Sequence, residues 1–93
     1  EMRMLPFKMR MYQFIGQANR PVDADFIMNG LKDEYGTERQ FTRNRVEFYL
    51  DSLASVAMIR ENNVSFNQEN ELAVEYELTA LGKERLKYLP LNR

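Results

Sequence analysis

The chain has 93 residues, 44% of them hydrophobic, and this predicts one small folded domain over residues 1–93 instead of a disordered segment. Thirteen lysines and arginines against fourteen aspartates and glutamates leave a net charge of −1, which disfavours nonspecific coating of nucleic acid but permits a local basic patch. The absence of cysteine and histidine excludes disulfides, thiolate metal sites and cysteine catalysis, and it removes the commonest general base and metal ligand.

The first predicted helix begins at Pro6, which suits a first turn because the N–H that proline lacks would be unpaired there anyway. It ends near Pro21, which cannot continue a helix. Between these prolines, apolar residues recur at helical spacing. This stripe predicts a face that packs in the core: Phe7, Met11, Phe14, Ile15 and Ala18.

The second predicted helix begins after Asp23, whose carboxylate can accept from the free N–H groups of the first turn. Val22 and Ile27 occupy the two positions of a hydrophobic staple around that cap. We expect the helix to pass through Gly30, which permits close approach of another helix, and to end at Gly36. A break at Gly30 is the alternative, because Asn-Gly is also a turn sequence.

The third predicted helix begins after Thr42, and Phe41 with Val46 forms a second possible staple. Its apolar residues recur at about 100° per residue, the angle of an α-helix. They predict an inward face formed by Val46, Tyr49, Leu50, Leu53 and Ala57.

Two strand-like segments follow, near residues 58–66 and 72–78, with a polar turn between them. The second alternates apolar and polar side chains, which is the period of a sheet with one solvated face. Thr79 then caps a last helix over residues 80–89, which Pro90 ends. The predicted order is helix, helix, helix, strand, strand, helix, in an α+β class.

This order resembles a winged helix-turn-helix domain, and three stretches carry the likeness. "VEFYLDSLASVAMI" is similar to a recognition helix that turns into Gly-Leu-Ile, and because Ala57 replaces the customary glycine we expect a differently shaped turn. "RPVDADFIMNGL" is similar to the second helix of the family. "YELTALGKERL" resembles the Leu-Thr-x-x-Gly-x-x-x-Leu segment that closes the wing in MarR- and PadR-like regulators, with matches at Leu78, Thr79, Gly82 and Leu86.

The resemblance implies sequence-specific binding of double-stranded DNA in transcriptional regulation. It places the third helix in the major groove and the wing on the backbone or the minor groove. Arginine is the favoured partner of guanine, and basic and polar residues cluster at the start of the third helix. The candidate DNA-binding residues are Arg39, Thr42, Arg43, Asn44, Arg45, Phe48 and Arg60.

A winged-helix protein–protein interaction module with a weakened DNA-binding face is the alternative. Phe48 suits a thymine methyl group, but an exposed aromatic residue is also a favoured anchor for a protein partner. A polar hairpin tip that contacts nothing is an equally good interpretation of the wing. Acidic residues that repel phosphate accompany both elements: Glu47, Asp51, Glu61, Glu69 and Glu71.

No other chemistry is indicated by the sequence. Glu75 and Glu77 share the solvated face of a strand, and no base partner accompanies them. The glycines form no phosphate-binding loop, and the aspartates lack the spacing of a calcium loop. We therefore expect no enzyme, no catalytic residue, no metal and no cofactor. No apolar run has membrane-spanning length and no secretory signal is recognisable, so we expect a cytoplasmic protein.

A homodimer through the terminal helices is also expected. Regulators of the resembled family usually bind palindromic sites as dimers, since two-fold protein symmetry matches that of the DNA. Both ends of the chain carry more apolar residues than one inward stripe needs, and the alternative is that these residues fold back on their own core. They are Met2, Met4, Leu5, Met9 and Tyr12 at one end and Leu86, Tyr88, Leu89 and Leu91 at the other.

Overall fold

The computed structural model describes residues 5–89, and its elements follow the predicted α+β order. Met2, Met4, Pro90 and Leu91 lie outside the described residues. Three helices precede an antiparallel hairpin and a fourth helix: α1 (Phe7–Ala18), α2 (Ala24–Tyr35), α3 (Arg43–Ser55), β1 (Ile59–Phe66), β2 (Leu72–Leu78) and α4 (Ala80–Leu86). None of the helices within that range is long and apolar enough to cross a membrane.

Side-chain caps fix the starts of three helices, and all three were predicted. In each case the side-chain oxygen of the cap accepts from the backbone N–H three residues later, which satisfies a donor of the first turn. The caps are Asp23 with Phe26 at 2.8 Å, Thr42 with Arg45 at 3.1 Å, and Thr79 with Gly82 at 2.9 Å.

The helix α2 continues through Gly30, and Gly36 is its C-cap, as expected. The ring of Phe14 from α1 covers Gly30 so closely that a Cβ there would lie 2.7 Å from Phe14 Cε1. This contact confirms that Gly30 permits close approach of a neighbouring helix.

The two strands of the wing are antiparallel, with a register that runs from Ile59 opposite Leu78 to a bulge after Glu61. Val22 adds one further β-bridge, on the edge of β2 that faces away from β1. The Val22 N–H donates to the carbonyl of Tyr76 at 2.9 Å, and the Tyr76 N–H donates back at 2.7 Å. The sequence did not predict this bridge.

One core lies between the helices α1 to α3 and the base of the wing, and it includes Val46, Leu50 and Ile59. Two buried tyrosines complete it by donating their hydroxyls to backbone carbonyls. Tyr35 donates to Leu5 at 2.5 Å, and Tyr12 donates to Gly82. Burial raises the pKa of both tyrosine hydroxyls, since it disfavours the phenolate.

Two boundaries differ from the expectation. The helix α4 ends at Leu86, and residues 87–89 continue as a turn. The helix α3 ends at Ser55, so Ala57 lies beyond the helix and is exposed instead of facing inward. Ala57 has φ 64°, the left-handed conformation that glycine adopts easily. The backbone there has the conformation that suits the customary glycine, although the residue is alanine.

Candidate nucleic-acid interface

The start of α3 lies on the surface, and most of the predicted site residues are gathered there. Thr42 caps the helix, and Asn44, Arg45 and Phe48 project into solvent from its first turns. These four residues surround one shallow, open depression. Arg39 is exposed in the turn between α2 and α3.

Arg45 carries the most available positive charge of this group. Its guanidinium carbon lies 5.6 Å from the ring centre of Phe48 and 5.7 Å from that of Tyr49. Planar guanidinium groups stack favourably on aromatic faces, and this orders the side chain without neutralising it. Within residues 5–89, no carboxylate lies within 4.0 Å of Arg45.

Lys8 of α1 belongs to the same surface, which the sequence did not indicate. Its ammonium donates to the hydroxyl of Ser52 at 2.7 Å and lies 6.0 Å from the ring centre of Tyr49. Tyr49 therefore has two cations near its ring. We call Lys8, Arg45, Phe48 and Tyr49 the basic-aromatic face. Phe48 is 60% exposed.

Arg43 is held differently, because two carboxylates bind it. It donates to Asp25 of α2, and its Nε donates to Glu47 at 3.1 Å. The hydrogen bond to Glu47 raises the pKa of the guanidinium, and the charge of Asp25 raises it further. Arg43 is thus the residue of the predicted cluster whose charge is most fully balanced by the protein itself.

On this other flank of α3, a groove of about 280 Å³ separates the helix from β2. Carboxylates of Asp25, Glu47 and Asp51 lie along it, and its wing side is apolar. We call it the acidic groove. Burial raises the pKa of the Tyr76 hydroxyl at its base, and the charges of Asp51, Glu61 and Glu47 raise it further. These three carboxylates make the local electrostatic field negative, so phosphate is disfavoured there.

The wing offers little free positive charge. Arg60 donates through Nε to Glu77 at 2.8 Å, and Asn62 donates to the same carboxylate oxygen at 3.0 Å. These hydrogen bonds, with that of Asn62 first, lower the pKa of Glu77. Asn67 shapes the tip, since its side-chain oxygen accepts from the N–H groups of residues 69 and 71. The predicted site residue Arg60 is therefore paired across the hairpin and lies apart from the cluster at the start of α3.

Comparison with solved structures identifies the architecture. A transcriptional regulator from Streptococcus superimposes with a TM-score of 0.65 at 16% identity, over 86% of this chain and 73% of that chain. A candidate transcriptional regulator from Thermoplasma acidophilum gives 0.64 at 15% identity, over 87% and 73%. Bacillus subtilis PadR in complex with operator DNA gives 0.66 at 18% identity, over 95% of this chain and 52% of that chain.

The chain has the winged helix-turn-helix fold. In this fold α2 and α3 form the helix-turn-helix, and β1 with β2 forms the wing. The chain spans about half the length of PadR. No protein-family model matches the sequence, and no curated protein matches it.

Proposed function

We propose that this chain is a sequence-specific double-stranded DNA-binding domain of a transcriptional regulator, with α3 in the major groove. The basic-aromatic face at the start of α3 carries the proposal, because residues at that end of a recognition helix contact base edges. The fold is shared with a protein that was solved on its operator DNA. In this role the protein is a binding domain without catalytic residues or a cofactor, and it acts in the cytoplasm.

Roles within the site follow from how each side chain is held. Arg45 is free to bind guanine O6 and N7, and Asn44 beside it suits adenine N6 and N7. Phe48 is placed for a thymine methyl group. Arg39 and Thr42 lie at the edge of the cluster, where phosphates are the expected partners.

The remaining two predicted residues must exchange partners before they contact DNA. Arg43 would leave Asp25 and Glu47, and Arg60 would leave Glu77. Lys8 joins the proposed site, since its ammonium lies beside Tyr49 and Ser52 of α3.

The test is an anisotropy titration of labelled duplexes at low salt, first with a mixed-sequence pool and then with the duplexes that selection enriches. Arg45→Ala should weaken specific binding by about 1–3 kcal/mol, the range for a bidentate base contact. Arg85→Ala, the same substitution at an exposed arginine of α4, is the control and should change affinity little. Full affinity of Arg45→Ala would remove Arg45 from the site, and a wild type that binds no duplex would end the proposal.

A homodimer through the terminal helices is part of the proposal, because it would double a small positive surface. Among the described residues of the two ends, Leu5 and Tyr12 are buried in the chain's own core, and Leu86 and Leu89 pack partly against it. The apolar surface left for a partner is therefore smaller than the sequence suggested, and it consists of the half-buried Met9 and of Tyr88, which is 74% exposed.

Light scattering at micromolar concentration tests this assembly, with a mass of twice 11.1 kDa as the expected result. Tyr88→Glu should shift the mass towards the monomer, and Glu84→Gln on the preceding helix α4 should leave it unchanged. A monomeric wild type under these conditions would contradict the dimer without affecting the DNA-binding titration of the single domain.

The second candidate function is a protein-interaction module, and the exposure of Phe48 favours it. An exposed aromatic ring beside an arginine has the composition of an interaction hot spot. Titrating duplex DNA into the wild type and into Phe48→Ala separates the two functions. In a DNA-binding domain, Phe48→Ala should alter the base preference. In an interaction module, neither protein should bind duplex DNA.

A further inference from the structure

The outer edge of β2 in the acidic groove is an open strand edge. Val22 pairs with Tyr76 through two backbone hydrogen bonds, so the N–H and C=O of Tyr76 point away from β1. Along a strand, the backbone N–H and C=O groups of successive residues point alternately to its two edges. Those of Val74 and Leu72 therefore point to the same outer edge as those of Tyr76. The opposite end of β2 agrees, because the Glu71 carbonyl accepts from Asn67 across the hairpin.

Nothing in the described chain continues this pairing beyond Val22. After Val22 the backbone turns at Asp23 into α2, and within residues 5–89 no further bridge to β2 is formed on that side. The acidic groove runs directly alongside the unpaired stretch at Leu72 and Val74. Unpaired strand edges are templates for an additional strand.

The face of the hairpin that carries the side chains of Leu72 and Val74 is apolar. Leu72 is 57% exposed, and its cross-strand neighbour Phe66 is 67% exposed. Val74 and its neighbour Val64, which is 51% exposed, extend the same face towards the base of the wing. A contiguous exposed apolar surface of this kind is typical of a binding site.

The charges along the groove select the occupant. Asp51 has no cation within 4.0 Å among the described residues, and Asp25 and Glu47 share the single positive charge of Arg43. A cationic segment would be attracted, whereas phosphate and acidic segments would be repelled.

We propose that the acidic groove binds an extended segment of a partner protein, rich in lysine or arginine and in aliphatic residues, which adds to β2 as a strand next to Val22. Main-chain hydrogen bonds to Leu72 and Val74 provide binding in this mode, and the side-chain surroundings provide specificity. The site is separate from the basic-aromatic face, and the proposal stands whether or not the chain binds DNA.

A capped heptapeptide of alternating lysine and valine is the probe, because its alternation presents lysine to one face of the new strand and valine to the other. It is titrated into ¹⁵N-labelled protein while amide shifts and hydrogen exchange are recorded. The amides of Leu72 and Val74 should shift and exchange more slowly. An alternating glutamate–valine peptide and a lysine–valine peptide with a central proline should both fail to produce this protection.

Charge-matched variants decide whether the groove or the overall acidity of the protein is responsible. Asp51→Asn should weaken the lysine–valine peptide about two- to fivefold, the range for one exposed charge pair. Asp33→Asn, an exposed aspartate of α2 that does not line the groove, should leave affinity unchanged. Equal weakening by both variants would overturn the proposal.

Three other outcomes would also overturn it. The first is that the peptide does not protect the Leu72 and Val74 amides at millimolar concentration. The second is that duplex DNA protects these amides instead, which would assign the groove to the DNA interface. The third is that their exchange slows with protein concentration alone, which would mean that a second copy of this chain covers the edge.

Discussion

Gly82 is the position at which one added methyl group most directly tests how α4 is fixed to the base of the wing. A Cβ at Gly82 would lie 3.0 Å from the carbonyl carbon of Met58 and nearer still to its oxygen, closer than real Cβ atoms approach. That carbonyl is held in place, because it accepts from the N–H of Thr79 at 3.1 Å, while the Thr79 hydroxyl donates to the adjacent carbonyl of Ala57 at 2.6 Å. The carbonyl of Gly82 itself accepts from the buried Tyr12 hydroxyl.

We expect Gly82→Ala to lower the free energy of unfolding by about 3 kcal/mol. Overpacking costs about 1–3 kcal/mol, and the obstacle here is backbone. Disturbing the Thr79 cap costs about 1 kcal/mol, and weakening the Tyr12 hydrogen bond costs about as much. The higher helix propensity of alanine relative to glycine stabilises the variant by about 1 kcal/mol. A domain of this length has about 5–14 kcal/mol in total, so the loss is large.

Urea denaturation followed by circular dichroism measures this loss, with Gly30→Ala as the matched control. A Cβ at Gly30 is also obstructed, but by the end of the Phe14 side chain, which can move. Gly30→Ala should therefore stay within about 1 kcal/mol of wild type, since helix propensity offsets the displacement. Equal stabilities for the two variants would refute the reasoning. A Gly82→Ala protein too unstable to purify agrees with it only if Gly30→Ala purifies normally.

Two further predictions follow from the backbone and the charges. Ala57→Gly should raise the free energy of unfolding by about 0.5–1 kcal/mol in the same urea assay, because relief of the left-handed strain exceeds the added entropy of the unfolded chain; a loss of stability would mean that φ 64° is not strained here. For specific duplex binding, log K against log salt should fall with a slope of about −2 to −4, from about two to four phosphate contacts per protomer; a much steeper slope would place the positive surface elsewhere.

Local features of the fold could be predicted from the sequence. The caps at Asp23, Thr42 and Thr79 depend on a side chain and an N–H only three residues apart, so the sequence order itself determines the hydrogen bond. A helix through Gly30 was expected, with a break as the alternative, because Asn-Gly suits a turn as well as a helix. The helix is continuous there, and the ring of Phe14 covers Gly30 from another helix.

The candidate site depends on contacts between distant parts of the chain, which a pattern of nearby residues does not contain. Lys8 meets Ser52 across 44 positions, and Arg43 meets Asp25 across 18. The sequence placed the basic cluster at the start of α3 but could not show that one of its arginines is balanced by an acid of α2. The strand edge in the acidic groove is equally hidden, since it is created by a bridge between Val22 and β2.

These contacts rank the two arginines of α3. A bidentate base contact is worth about 1–3 kcal/mol to either residue. Arg43 must first give up ion pairs with Asp25 and Glu47, whose side chains are more than half exposed, and such pairs are worth about 0–1 kcal/mol each. It would also leave two carboxylates facing the phosphates. Arg45 gives up only its stacking on aromatic rings, which a bound base can replace. Arg45→Ala should therefore cost more DNA affinity than Arg43→Ala in parallel titrations, and the reverse order would show that Arg43 leaves its acids on binding at little cost.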